Sequence, residues 1–207
     1  RVPTSHEDLN HLFDVFPAHL IKLMTLAPEQ VSPAFIRRLT QDGMIVSAGH
    51  TEASYDQMQT ALAHGVTGFT HLFNAMSPMT SREPGVVGAA LDHADSWCGL
   101  IVDGHHVHPV TLRQAIKAKA KGKMILVTDA MHTVGQGAGR FDLMGSPIVS
   151  ANGKVTTLDG TLAGSDLDMA SAVRNTVQQV GLELEEALRM ASLYPAQFLK
   201  LDHKIGR

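Results

Sequence analysis

Short apolar runs alternate with longer segments of helical periodicity through the first two thirds of the chain. The runs are rich in β-branched residues and are Leu20 to Leu26, Met44 to Ser47, Val66 to Thr70, Cys98 to Val102 and Met124 to Thr128. Strands separated by helical segments predict βαβ units and a parallel sheet. Five such strands are too few to close an eight-stranded barrel by themselves.

Capping and terminating residues mark the helices expected between these strands. Three predicted helices run from Pro33 to Gly43, from a cap at Thr51 to His64, and from Pro109 to about Gly122. Each of these helices returns the chain for the next strand. No internal repeat or linker divides the sequence, so a domain boundary is not expected.

The pattern changes after Thr128. Asn-Gly and Asp-Gly pairs flank Lys154 to Leu158 and predict a hairpin there. The next two segments have the periodicity of amphipathic helices, namely Asp168 to Val180 and Leu184 to Leu193. A break follows, and a short helix is expected to end at Leu201.

Composition narrows the class of protein. The chain has 207 residues, 44% of them hydrophobic, and a formal net charge of −3. This charge offers no broad attraction to nucleic acid or anionic lipid, and no apolar stretch reaches the roughly 20 residues of a membrane helix. The one cysteine, Cys98, excludes an intramolecular disulfide and is expected to be a packed core thiol. A cytoplasmic protein without nucleic-acid or membrane partners is therefore expected.

Three side chains that suit metal-assisted hydrolysis follow three of the predicted strands. His50 and His71 each follow a strand, and Asp129 ends the last one. The carboxyl ends of parallel strands share one edge, where two imidazoles can bind a divalent metal and a carboxylate can carry a proton. Either histidine alone is more often a satisfied strand-end residue, and Asp129 can also cap a turn. Their equivalent positions favour a metal site.

Two loops offer further polar contacts. Arg82 lies in a polar turn after His71 and suits bidentate recognition of a phosphate or carboxylate. The small-residue loop Gly160 to Ser165 would allow backbone amides to approach a ligand. Each of these features alone is also typical of an ordinary surface loop.

Six segments of the sequence carry a resemblance to a known protein family. They are Val46-Ser-Ala-Gly-His50, Thr70-His-Leu-Phe-Asn-Ala-Met76, Arg82-Glu-Pro-Gly85, Val102-Asp-Gly-His-His-Val107, Val127-Thr-Asp-Ala130 and Gly160-Thr-Leu-Ala-Gly-Ser165. Taken in order, they resemble the N-acetylglucosamine-6-phosphate deacetylase family of the amidohydrolase superfamily. The likeness extends over essentially the whole chain, from Leu23 to Pro195.

The resemblance implies a partial (β/α)8 TIM-type barrel that hydrolyses the acetamide of N-acetyl-D-glucosamine 6-phosphate. It implies His50 and His71 as ligands of a divalent metal, with zinc expected, and Asp129 as the catalytic acid/base. The substrate-binding residues that it implies are Asn74, Ala75, Arg82, His106, Leu162, Ala163 and Gly164. In the family the equivalent of His106 reaches substrate across a homodimer interface, so a homodimer is expected for the full-length protein.

The sequence departs from the family in two respects. His105 is not the residue most common at its position, which leaves its role open. The family's metal-binding glutamate, in a His-x-Glu-Gly-Pro stretch, has no counterpart among the 207 residues, and neither Glu7 nor Glu29 has the right context. Residues 1–207 are therefore expected to be about strands 4 to 8 of the barrel with their helices, without the small β-sandwich domain, and to bind metal weakly alone.

Two alternatives to this function remain open at the level of sequence. A deacetylase for N-acetylgalactosamine 6-phosphate would use the same phosphate and acetamide contacts, because the two sugars differ at one hydroxyl. A catalytically incomplete fragment would act only in sugar-phosphate binding or assembly. A nucleic-acid-binding protein has little support, because no basic face interleaved with aromatic residues is present.

Overall fold

A five-stranded parallel sheet forms the centre of the molecule. The structure is a computed structural model that describes residues 22–143 and 145–206. The strands are β1 (Leu23–Leu26), β2 (Ile45–Ala48), β3 (Val66–Phe69), β4 (Trp97–Leu100) and β5 (Met124–Leu126). They lie side by side in chain order, and each neighbouring pair is parallel. This order is typical of a (β/α)8 barrel, whereas a doubly wound sheet reverses its strand order near the middle.

The predicted parallel strands are confirmed with shifts of up to three residues at their ends. The first strand was predicted from Leu20 and is described from Leu23, and residues 20 and 21 lie outside the described part, as does Glu7. In the register, Leu26 lies beside Ala48, and Ala48 lies beside Phe69. The carboxyl ends of β1, β2 and β3 are therefore level with one another.

Four helices connect these strands. They are α1 (Pro33–Gln41), α2 (Tyr55–Ala63), α3 (Gly85–Asp92) and α4 (Pro109–Ala118). Helix α1 begins as predicted, because the hydroxyl of Ser32 accepts a hydrogen bond from the Phe35 amide. Helix α3 had no capping signal in the sequence, and its N-cap, Pro84, makes no side-chain capping bond.

The prediction that Thr51 caps α2 is wrong. The cap is Ser54, which forms a reciprocal capping box with Gln57. Thr51 instead forms an isolated parallel bridge with Met76, and its hydroxyl donates to Glu29. Tertiary contacts of Thr51 with the ends of two neighbouring strands therefore replace the local capping role.

A second, antiparallel sheet follows β5. Its strands are β6 (Gly139–Leu143), β7 (Ser146–Ala151), β8 (Lys154–Thr157) and β9 (Leu162–Ser165), paired in that order. The predicted hairpin is confirmed at the β7–β8 turn, where Asn152 and Gly153 have φ of 53° and 74°. Two residues with positive φ match the twist of the flanking strands. The strands on either side of this hairpin were not predicted.

The chain ends in a group of short helices. They are α5 (Met169–Asn175), a π-helical turn (Thr176–Val180), α6 (Leu184–Ala191) and α7 (Leu193–Phe198). Asp168 caps α5 by accepting from the Ser171 amide. The helix predicted to Val180 has the expected extent, but its hydrogen bonding changes to the π pattern over its last five residues.

The hydrophobic core lies between the parallel sheet and its helices. Large side chains with almost no exposure include Phe35, Leu39, Phe69, Leu100 and Leu112. Cys98 is fully buried in this core, as predicted, and burial raises the pKa of its thiol to about 12. Within the described ranges, no helix is long and apolar enough to cross a membrane.

Candidate metal and substrate site

Two imidazoles converge at the carboxyl edge of the parallel sheet. His50 follows β2 by two residues and His71 follows β3 by two residues, so the level strand ends place them side by side. Their Nε2 atoms are 3.0 Å apart, and the rings are nearly perpendicular, with centroids separated by 4.8 Å. The structure thus brings together the two histidines that the sequence predicted as metal ligands.

Asp129 lies at the same edge, three residues beyond β5. It lines the same cavity of about 180 Å³ as His71, together with apolar side chains such as Phe69, Trp97 and Val127. Its charge also acts on the ring of His71, since it is one of the groups that raise the pKa of that imidazole. The candidate acid/base therefore shares a largely apolar cavity with one candidate ligand.

The environment of His71 favours its neutral form. Only 6% of the residue is exposed. Burial lowers the pKa of His71 and the neighbouring His50 lowers it further, whereas backbone contacts and Asp129 act in the opposite direction without reversing the shift. A neutral imidazole has a free nitrogen lone pair, which is the form that binds a metal ion.

All three residues have a left-handed backbone conformation. The φ angles are 50° for His50, 35° for His71 and 51° for Asp129. This conformation is unusual outside glycine, and strained residues of this kind concentrate at functional sites. In each case the strand ends within three residues before this residue. The side chain is therefore held at the sheet edge, outside the alternation of strand side chains between the two faces of the sheet.

The histidine pair fits two positions in the coordination shell of a divalent metal. Zn–N bonds of about 2.0–2.1 Å in a tetrahedral shell separate two ligand nitrogens by about 3.3 Å, close to the observed 3.0 Å. Among the described residues, no group of three or more His, Cys, Asp or Glu side chains is arranged to hold a metal ion. The histidine pair can therefore supply two ligands of such a shell.

A buried aspartate fixes the orientation of His106. Asp103 Oδ2 accepts from His106 Nδ1 at 2.6 Å, and its Oδ1 accepts from the amides of His105 and His106 at 2.8 and 2.9 Å. Burial alone would raise the pKa of Asp103, but the hydrogen bonds from His106 and His105 lower it to about 2. Because the ionised carboxylate holds the Nδ1 proton, Nε2 of His106 remains available for a ligand.

The turn after His71 presents backbone groups. Asn74 Nδ2 donates to the carbonyls of His71 and Leu72 at 3.2 and 3.3 Å, and the Ala75 carbonyl accepts from the Thr51 amide. Arg82 lies farther along in an exposed bend. The structure gives Arg82 no hydrogen bond or ion pair with another described residue, so its guanidinium is free to meet an anion, but the structure does not bring it against the histidine pair.

Strand β9 brings the small-residue loop to Asp129. The amide of Ser165 donates to the Asp129 carbonyl at 2.8 Å, and its hydroxyl donates to the Thr128 carbonyl. A β-carbon on Gly164 would lie 2.6 Å from Met131 and 3.1 Å from the Asp129 carbonyl, and φ there is +78°. Gly164 is therefore held next to the candidate acid/base, and Leu162 and Ala163 precede it in β9.

Two carboxylates at this edge had no assigned role in the sequence. Asp103 stands three residues before His106, a spacing that permits a side-chain contact within one turn. Glu29 follows β1 and accepts from the Thr51 hydroxyl and the Glu52 amide. The second contact has no local signal in the sequence, because it joins residues 22 positions apart.

Comparison with known proteins agrees with this geometry. Residues 18–207 match the amidohydrolase family. The chain is 44% identical over 180 residues to N-acetylgalactosamine-6-phosphate deacetylase from Shewanella sp. (strain ANA-3), covering 87% of this chain and 46% of the relative. It is 41% identical over 185 residues to N-acetylglucosamine-6-phosphate deacetylase from Lysinibacillus sphaericus, covering 89% and 48%.

The fold is also similar to that of a solved relative. N-acetylglucosamine-6-phosphate deacetylase from Pasteurella multocida superimposes with a TM-score of 0.93 and 40% sequence identity, covering 99% of this chain and 53% of that protein. The chain spans about half the length of the curated relatives that it matches. The α/β architecture predicted from the sequence is thereby confirmed as a partial TIM-type fold, and the chain belongs to the amidohydrolase family.

Proposed function

We propose that the full-length protein containing this chain hydrolyses the acetamide of an N-acetylhexosamine 6-phosphate. The expected substrate is N-acetyl-D-glucosamine 6-phosphate, and the products are D-glucosamine 6-phosphate and acetate. The observation that carries the proposal is the convergence of the His50 and His71 Nε2 atoms at 3.0 Å, at the sheet edge that also holds Asp129. The names of the matched relatives support the same reaction.

His50 and His71 are the residues that would hold the metal. A divalent ion, with zinc as the expected one, lowers the pKa of water and polarises a carbonyl when it is bound. Asp129 is then the group that takes a proton from the attacking water and returns it to the leaving amine nitrogen. The cavity beside Asp129 has a largely apolar wall.

The remaining predicted residues would bind and orient the sugar phosphate. His106, fixed through Nδ1 by Asp103, leaves Nε2 to contact the substrate. The Arg82 guanidinium has no partner among the described residues and is suited to the phosphate. The backbone groups of Asn74 and Ala75 lie nearby in sequence. Leu162, Ala163 and Gly164 of β9 would line the sugar next to Asp129. A homodimer remains a prediction of the family resemblance, and a cytoplasmic location remains a prediction from the composition of the sequence.

A deacetylase for N-acetylgalactosamine 6-phosphate is the second candidate. Two of the matched relatives carry this name, at 44% and 40% identity. The two substrates share the phosphate and the acetamide, so the residues proposed above serve both. The choice between them depends on contacts with one sugar hydroxyl.

Steady-state kinetics on both substrates test the proposal. The full-length protein is expected to hydrolyse at least one sugar phosphate with release of acetate, and the ratio of kcat/KM values assigns the preferred epimer. Asp129→Asn is expected to retain metal and lose turnover. The 207-residue chain is expected to bind metal weakly and to show little hydrolysis. Absence of hydrolysis of both compounds by the metal-loaded full-length protein would refute the proposed function.

A further inference from the structure

Thr51 connects the ends of three strands beside the candidate metal site. It directly follows His50 and is 1% exposed. Its hydroxyl donates to Glu29, which follows β1, and its amide donates to the Ala75 carbonyl in the turn after β3 at 3.0 Å. Its own carbonyl accepts from the Ser77 amide at 3.3 Å. One buried side chain and its peptide groups thus join the ends of β1, β2 and β3.

Glu29 completes this connection from the other side. Its Oε2 accepts the Thr51 hydroxyl, and its Oε1 accepts the amide of Glu52 at 3.0 Å. The same hydroxyl also accepts from the Ala53 amide at 3.2 Å. The hydroxyl therefore acts as donor and acceptor at once, a pairing that valine cannot reproduce and serine can.

The residues joined in this way border both parts of the candidate site. His50, immediately before Thr51, has φ of 50°, and Ala75 has φ of 47°. Such backbone conformations persist only where the surrounding contacts hold them. The Thr51 amide, in the peptide group directly after His50, donates to the carbonyl of Ala75, and Glu29 accepts from the amide of Glu52.

We propose that Thr51 and Glu29 form a positioning pair that sets the direction of the His50 ring and couples it to the Asn74–Ala75 turn. This inference rests on the proposed function, in which His50 holds the metal and the turn recognises the sugar phosphate. Neither residue of the pair needs to touch metal or substrate. Loss of the pair is expected to weaken zinc binding and sugar-phosphate binding together, because both depend on the same strand ends.

The test uses the full-length protein and four variants. Thr51→Val removes only the hydroxyl contacts, Thr51→Ser retains them, and Glu29→Gln disturbs the same contact without altering the loop after β2. Ser77→Ala is the matched control, because the Ser77 hydroxyl makes two hydrogen bonds in the adjacent network, to the Ala53 carbonyl at 2.7 Å and from the Val86 amide at 2.9 Å. The measurements are the zinc dissociation constant by chelator competition, the Tm of the metal-free protein, and kcat and KM.

Thr51→Val is expected to raise the zinc dissociation constant by about 10- to 100-fold, the usual effect of removing a group that orients a metal ligand. KM for the sugar phosphate should rise in parallel, and Thr51→Ser should restore both values to within a few-fold. Glu29→Gln should weaken zinc binding in the same direction, which keeps the test valid if Thr51→Val folds poorly. Ser77→Ala should lower Tm with zinc affinity unchanged.

Three results would overturn the positioning role. A fall in Tm for Thr51→Val and Glu29→Gln with unchanged zinc affinity and KM would show that the pair is only structural. Equal loss of zinc affinity in Ser77→Ala would show that the effect is not specific to this pair. Failure of the wild-type protein to bind zinc would overturn the positioning role together with its proposed ligand. Zinc binding without hydrolysis of either sugar phosphate would refute the proposed function, and the comparison of zinc affinities would then decide the positioning role by itself.

Discussion

Replacement of Asp103 by asparagine should change both the stability of the protein and the tautomer of His106. The carboxylate is 4% exposed and accepts three hydrogen bonds, two from backbone amides and one from the His106 ring at 2.6 Å. Asparagine has nearly the same shape but only one oxygen acceptor, and its amide group would face the Nδ1 proton of His106. The ring is therefore expected to move its proton to Nε2, so that Nδ1 can accept from the new amide.

The size of the effect follows from the pKa of Asp103. Hydrogen bonding overcomes burial and lowers this pKa from 3.8 to about 2. A difference of this size corresponds to about 2 kcal/mol of preference for the ionised form in the folded state. The Asp103→Asn variant should thus lose about 2 kcal/mol of unfolding free energy at neutral pH, within the usual range for a hydrogen bond to a buried charged group.

The sign of the pH dependence follows from the same values. Because the folded-state pKa is below the unfolded-state value, the contribution of Asp103 is fully present above about pH 4 and is lost as the pH falls towards about 2. The asparagine variant has no such titration. The contribution of Asp103 to the difference in stability between the two proteins should therefore shrink as the pH falls below about 4.

Two measurements on the full-length protein check this reasoning. Urea denaturation at a series of pH values gives the difference in unfolding free energy, and ¹⁵N NMR of the imidazole reports which nitrogen of His106 carries the proton. Asp103→Glu serves as a control that retains the charge and changes the reach of the side chain. A variant with wild-type stability at pH 7 and an Nδ1-protonated His106 ring would refute the role assigned to Asp103.

Three further substitutions test buried or closely packed positions, two of them near the site. In Gly49→Ala the added methyl would lie 2.8 Å from Thr25 and 2.9 Å from Thr70, which should destabilise the protein by about 1–3 kcal/mol in chemical denaturation. Lys119→Met removes a buried cation that donates to two carbonyls near the end of α3 and to a hydroxyl, and should lower the unfolding free energy by about 1–3 kcal/mol; an unchanged midpoint would contradict this. Gly164→Ala places a side chain on a residue with φ of +78°, and should lower kcat/KM by displacing the loop beside the acid/base, with unchanged kinetics as the contrary result.

The sequence determined the order of the strands and the positions of the histidines. Apolar runs of strand length separated by helical segments are local patterns, and they predicted all five parallel strands to within a few residues. Once a parallel sheet is expected, residues that follow its strands must lie at one edge. For this reason the sequence alone is enough to group His50, His71 and Asp129.

Only the tertiary structure decided how the residues between these landmarks are used. Thr51 has the local sequence of a helix cap, but contacts with the ends of two neighbouring strands outweigh that preference, and Ser54 caps α2 instead. The antiparallel strands β6 and β9 were not predicted, although each pairs with the strand next to it in the sequence. The partners of Glu29 likewise had to be read from the fold, because a carboxylate is a hydrogen-bond acceptor in any context, and which donors Glu29 meets depends on how separate segments pack.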